Sequence, residues 1–190
     1  MSALSGDGFA FVHVPKTGGT WAMQAMKRAG VKYEILGEGD PHPSQDKIEA
    51  PFRFGFVRHP ATWYASWWAF FHEKVHDYDP PNEFERRTME LSFPDFVNYV
   101  TETQPGFMIG LYNRYVGPPD DEIDYIGRYE NLVEHLIHAL RLADIPFDPE
   151  AIIQTPHANV AGERPMITPE QREAIYNAER EVYDRFGYEV

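Results

Sequence analysis

Apolar and polar positions along the chain fall into blocks that switch between the strand period and the helix period. Residues 9–14 (FAFVHV) are a short run rich in β-branched and aromatic side chains, the pattern of a buried strand. Residues 20–29 then carry Trp21, Met23, Ala25 and Met26 at helical spacing, and Gly30 stops the helix. Residues 31–36 read as a second strand and residues 52–57 (FRFGFV) as a third. Pro60 is placed to open a helix that runs to about His76, ahead of Asp79, Pro80 and Pro81. Beyond it, residues 93–101 and 107–115 read as shorter helices, 125–127 as a short strand, 131–143 as a helix and 169–186 as a final helix. This β-α-β, β-α succession predicts an α/β fold, a mostly parallel sheet covered by helices with ligands at the carboxyl ends of the strands.

Composition narrows the class. With 190 residues, 43% hydrophobic and 15% aromatic, the chain can bury a full core and is expected to form one domain over residues 1–190. A formal net charge of -13 argues against a nucleic-acid binder, whose phosphate contacts need clustered Lys and Arg, so any anion must be held locally. The absence of cysteine excludes disulfides and thiolate metal sites. No apolar run reaches the length of a membrane span and no basic-then-apolar leader opens the chain, so a soluble, cytoplasmic protein is expected.

The stretch HVPKTGGTW (residues 13–21) puts Gly18, Gly19 and the amides that follow at a helix N-terminus, where unpaired N–H groups and the helix dipole favour an anion. Lys16 adds a mobile full charge that can follow a leaving oxygen as charge builds on it. This is not a Walker A loop, because there the lysine follows the glycines and here it precedes them. A second stretch, VRHPATWYAS (residues 57–66), ends a predicted strand on Arg58 and carries Ser66 about two turns into the next helix. A guanidinium fork and a hydroxyl can both serve one further phosphate.

Together these two stretches resemble the 5′-phosphosulfate and 3′-phosphate loops of the PAPS-dependent sulfotransferases, where PAPS is 3′-phosphoadenosine 5′-phosphosulfate. YIGRYENL (residues 125–132) is similar to a third, weaker marker of that family. The resemblance implies a P-loop NTPase-like three-layer α/β/α fold with a mostly parallel central sheet. It assigns the phosphosulfate to Pro15, Lys16, Thr17, Gly18, Gly19, Thr20 and Trp21, the 3′-phosphate to Arg58 and Ser66, and the neighbourhood of the adenine to Tyr129. The family often has an acidic residue after the arginine and a second arginine five positions on, where His59 and Trp63 stand here. HANVAGERP (residues 157–165) stands where the family has a cofactor-covering loop, and Arg164 is its candidate cap on the 3′-phosphate.

Transfer to a hydroxyl also needs a base. GDPHPSQDKI (residues 39–48) is similar to the histidine segment of the heparan and uronosyl 2-O-sulfotransferase branch, and His42 matches its proposed base. An imidazole with a pKa near neutrality suits that task, with Asp40, Glu38 and His72 in reserve. HEKVH (residues 72–76) fits the zinc-binding HExxH pattern, with Glu83, Glu85 or Glu90 as an imaginable third ligand, but such a match arises readily by chance in a chain with eight histidines. The aromatic row Trp63, Tyr64, Trp67, Trp68 and Phe71 has the spacing of a core stripe, and some of it could line an acceptor pocket. The expected activity is metal-independent sulfuryl transfer from PAPS to a small carbohydrate, a glycolipid head group or an aromatic metabolite, releasing adenosine 3′,5′-bisphosphate. A nucleotide kinase, a zinc hydrolase or a non-catalytic nucleotide-binding module are the alternatives.

Overall fold

A computed structural model describes residues 3–36, 48–74, 82–156 and 165–190. In chain order these form β1 (Leu4–Gly6), β2 (Phe9–Val12), α1 (Gly19–Arg28), β3 (Glu34–Ile35), β4 (Arg53–Val57), α2 (Pro60–Lys74), α3 (Glu83–Glu90), α4 (Phe93–Thr103), α5 (Phe107–Val116), β5 (Tyr125–Arg128), a 3-10 turn (Tyr129–Asn131), α6 (Leu132–Leu142), α7 (Pro149–Ile153), α8 (Pro169–Ala178) and α9 (Arg180–Phe186). The chain divides into two compact units, Met1–Arg58 with Leu111–Val160, and His59–Gly110 with Ala161–Val190.

Among the described residues of the first unit, five strands form one sheet in the order β3-β1-β2-β4-β5. The three strands β2, β4 and β5 are parallel, as the alternation of strands and helices predicts. The expectation of a mostly parallel sheet is corrected at the other side: β1 pairs antiparallel with β2 and with β3, so the sheet is mixed. The cause is a tight hairpin. Gly6 faces Phe9 across a two-residue turn made of Asp7 and Gly8, and Gly8 takes φ 86, a conformation that glycine enters without penalty. Strand β1 is thereby inserted between β2 and β3, which would otherwise be neighbours joined by the α1 crossover.

Period-two patterning builds the core of this unit. Phe9 and Phe11 of β2 and Phe54 and Phe56 of β4 lie in one buried cluster with Trp21, Ala22, Ala25 and Met26 of α1, with Leu132, Leu136, Ala139 and Leu140 of α6, and with Ile152 of α7. Burying a side chain of this size contributes about 1.5–3 kcal/mol each, which fixes the register of β2 and β4 and therefore where the loop after β2 emerges. The Trp21 indole N–H donates to the Thr155 carbonyl at 3.2 Å and ties α1 to the end of α7.

The second unit is helical. Asn82 caps α3 by accepting from the Glu85 N–H at 2.8 Å, and Thr168 and Gln171 form a capping box on α8. Trp63 and Tyr64 of α2 are fully buried, and Trp63 stacks on Trp67 with ring centroids 4.8 Å apart, so the inner part of the aromatic row is core. The helix expected over residues 169–186 is broken at Glu179. The Ala178 carbonyl accepts from the Gly106 N–H at 2.9 Å, and the buried Glu179 carboxylate accepts from the Tyr64 hydroxyl at 2.7 Å and from the Met108 N–H at 3.1 Å. The Gly106 N–H thus takes a carbonyl that would have continued the helix, while the other two donors hold the Glu179 side chain at the break.

Candidate active site

Strand β2 ends at Val12, and residues 13–18 turn into α1. Lys16 has φ 67 and Gly18 φ 87, so the loop runs through the left-handed region twice, once at a residue that pays about 1–2 kcal/mol to be there. Strain of this kind persists only where the surroundings over-determine it. Thr17 is fully buried and its hydroxyl donates to the Val14 carbonyl at 2.8 Å, closing the turn from below. A Cβ at Gly18 would meet Leu132 Cδ2 at 2.6 Å and the Tyr129 ring at 3.1 Å, so the loop lies directly against the 3-10 turn and the start of α6. Gly19 is tighter: a Cβ there would collide with the His13 imidazole. Helix α1 opens with Gly18 at its N-cap, no side-chain cap and no acidic residue in its first turn, so neither a capping oxygen nor a carboxylate opposes an anion at the positive end of its dipole.

Arg58 comes to the same place from the end of β4. Its guanidinium is buried, donates from Nη1 to the Lys16 carbonyl at 3.0 Å and lies 4.0 Å over the centre of the Tyr129 ring. Its backbone is held as firmly, because the Tyr112 hydroxyl accepts from the Arg58 N–H and donates to the Arg58 carbonyl, each at 3.0 Å. The structure therefore gathers Lys16, Gly18, Arg58 and Tyr129, which stand up to 113 positions apart in the chain (129 − 16), at the carboxyl ends of β2, β4 and β5. Pro15 and Thr20 flank this loop half-buried, and Trp21, which the motif assigns to the cofactor, faces the core.

Two neighbours were not singled out from the sequence. His13 carries the loop at Gly19, and only its place directly before the lysine motif signals it. Tyr112 lies 54 positions from Arg58, and nothing local in its helical pattern marks it.

The remaining candidates fall in the second unit or outside the described residues. Ser66 is buried on α2 in the second unit. His59 contacts the Glu189 carbonyl through Nε2 at 2.9 Å, and Trp63 is core. His72 stacks on Trp68 at 4.1 Å and pairs its Nδ1 with the Trp68 carbonyl at 2.9 Å, so its ring is committed to its own helix. Glu85 contacts Asn82 and Glu90 contacts Arg87, and among the described residues no three His, Asp or Glu side chains are grouped to hold a metal ion. Glu38, Asp40, His42, His76 and Arg164 lie outside the described residues.

The packing at Gly19 makes a direct prediction. Gly19→Ala is expected to destabilise the protein by about 1–3 kcal/mol through overpacking against His13, a fall of about 2–12 °C in melting temperature for a chain of this size. Adding His13→Ala should recover part of that loss, a coupling that thermal melts of the two single variants and the double variant measure. Additive losses would mean that the two residues do not press on each other.

Comparison with curated proteins and with solved structures returned no match. A family profile described as the sulfotransferase family matches residues 5–185, a span that contains the loop after β2, Arg58 and Tyr129, and the chain therefore belongs to the sulfotransferase family.

Proposed function

We propose that this sulfotransferase moves a sulfuryl group from PAPS to a hydroxyl of a small carbohydrate, a glycolipid head group or an aromatic metabolite, by in-line displacement. The observation that carries the reading is the convergence of Lys16, the N-terminus of α1 and the pinned, buried Arg58 in one hydrogen-bonded cluster. This donor set fits the ligand: a flexible ammonium, a row of backbone N–H groups and a planar guanidinium are what two separate anionic groups need. When bound, PAPS supplies the electrophilic sulfur and the bisphosphate leaving group.

Lys16 and the amides of residues 17–20 hold the 5′ end and neutralise the charge that grows on the oxygen bridging sulfur and phosphorus as that bond breaks. Arg58 holds the 3′-phosphate, and the Tyr129 ring, assigned beside the adenine, keeps the guanidinium in plane. On the strength of their motifs, Ser66 and Arg164 enter as further hydrogen-bond donors to the 3′-phosphate, and His42 enters as the base that takes the proton from the acceptor hydroxyl oxygen as that oxygen bonds to sulfur. An excess of 13 negative charges disfavours a long polyanionic glycosaminoglycan as acceptor.

Thermal shift tests the donor. Adenosine 3′,5′-bisphosphate at 100 times its Kd stabilises the folded state by about 2.7 kcal/mol, so its melting shift should clearly exceed that of AMP or of ATP with magnesium at the same concentration. Arg58→Ala should remove most of the bisphosphate response and little of the AMP response. An equal response to ATP with magnesium would favour phosphoryl transfer, and an equal loss for bisphosphate and AMP would make Arg58 a structural residue.

A further inference from the structure

Strand β5 is the last strand of the sheet, and α6 packs across it unusually closely: a Cβ at Gly127 would meet Phe56 Cδ1 at 2.7 Å and His135 Cβ at 2.8 Å. Beside this contact lies a groove of about 470 Å³, lined by Tyr125, Glu134, His135, Ile137, His138 and Arg141. That volume is in the range of small-molecule sites. His135, His138 and Arg141 recur every third residue and form a row along one side of α6, since residues three apart are neighbours on a helix surface.

The row is chemically set rather than incidental. The Tyr125 hydroxyl contacts His135 Nδ1 at 2.5 Å. Burial holds the phenol pKa above its usual value, so the phenol keeps its proton and donates it. Burial, and then the charge of Arg128, hold the His135 pKa below its usual value, so the ring stays neutral and carries its own proton on Nε2. His135 is thereby a donor, like the Arg141 guanidinium, which makes no ion pair among the described residues. The His138 ring lies 5.2 Å from the Tyr125 ring, which together with Ile137 gives the groove an apolar floor. A metal ion suits the place poorly, because the guanidinium repels it and no third ligand is grouped there among the described residues. Glu134, the acidic member of the lining, disfavours a highly charged anion.

We propose that the groove between β5 and α6 binds a small oxyanion carried on a ring, a phosphate or sulfate monoester, through His135, His138 and Arg141, with the ring against Tyr125 and Ile137. This site belongs to the first unit alone and does not depend on the sulfuryl-transfer reading.

Ring resonances of the histidines in the isotope-labelled full-length protein test it. Phenyl phosphate and phenyl sulfate are titrated separately, with inorganic phosphate, inorganic sulfate and zinc as further arms. His135 and His138 should shift saturably with at least one phenyl ester, the tighter ester identifying the natural head group, and inorganic ions should bind several-fold more weakly. The same shifts should survive in Lys16→Met, which empties the other anion site of its lysine. Arg141→Ala should weaken the ester about 10-fold, the loss of one charge-assisted contact. Arg141 is exposed, so this variant should melt with wild type, and Arg141→Gln serves if it does not. The proposal is overturned if neither ester moves the two histidines, if their shifts vanish in Lys16→Met, if Arg141 is indifferent, if inorganic ions bind as tightly as the esters, or if only zinc saturates the site.

Discussion

His42→Ala should lower turnover by about 10²- to 10⁴-fold while leaving the affinity for adenosine 3′,5′-bisphosphate at the wild-type value, the result expected for a general base that meets only the acceptor hydroxyl. Lys16→Met should differ in kind. Lys16 stands in the loop whose backbone is locked by Thr17 beneath and by Arg58 alongside, and on the proposed reading its ammonium would act on the ligand both before and during the reaction. Its loss should therefore weaken the bisphosphate and slow turnover together. Thermal shift gives the affinities, and rates with labelled PAPS and a screened hydroxyl acceptor give the turnover. A wild-type pH profile should also show an acidic limb in histidine's range that His42→Gln removes. Should His42→Ala keep full turnover, the base is another residue, and Asp40, Glu38 and His72 are the substitutions to make next. Should Lys16→Met bind the bisphosphate as wild type does, the loop after β2 does not hold the 5′ group.

The elements that build this loop were legible because each carries a local signal. The apolar run of β2, the glycines and the helical spacing of α1 sit within 20 residues, Pro60 opens α2 where expected, and the apolar spacing of α6 reads directly. Strand β1 was missed although Asp7-Gly8 is a strong hairpin signal, because three residues of strand are too short to show a period. The five-residue α7 was missed for the same reason. The break at Glu179 was invisible for a different one: residues 169–186 keep helical spacing throughout, and the groups that interrupt the helix come from Gly106, Met108 and Tyr64.

The site shows the same division. Lys16, Gly18, Gly19 and Arg58 were readable as motif residues, and their meeting follows from the parallel pairing of β2 with β4. What holds them was not readable. Tyr112 grips both backbone polar groups of Arg58, and His13 fills the space that Gly19 leaves, through contacts that no spacing rule encodes. Trp21 carries a second role that its motif does not signal: its side chain lies on the inner face of α1 in the core, where the indole N–H donates to the Thr155 carbonyl.

Stability should fall as pH rises through neutrality, and Glu179 should be the reason. Its carboxyl is fully buried at the junction of α8 and α9, and burial pushes its pKa up to about 7 against the accepting contacts from Tyr64 and from the Met108 and Ile109 N–H groups. The groups that face it are Tyr64 of α2, those two amides of α5, and Tyr183 of α9, whose hydroxyl is buried without a hydrogen-bond partner among the described residues; Arg172 of α8 acts on Tyr183. An unfolded glutamate titrates near its model value of 4.5, so the folded state holds a proton that the unfolded state releases between that pH and about 7. The stabilisation is complete below 4.5 and is lost as pH rises through 7, a contribution on the order of 3 kcal/mol for a shift of this size. Glu179→Gln keeps an amide oxygen to accept from Tyr64 or Met108 and has no proton to lose. Denaturant melts at pH 5 and pH 8 should therefore show the wild type losing more stability than the variant between the two, by most of that amount. Equal losses would mean that Glu179 is ionised in the folded protein at pH 5, its charge carried by the Tyr64 hydroxyl and the start of α5 alone.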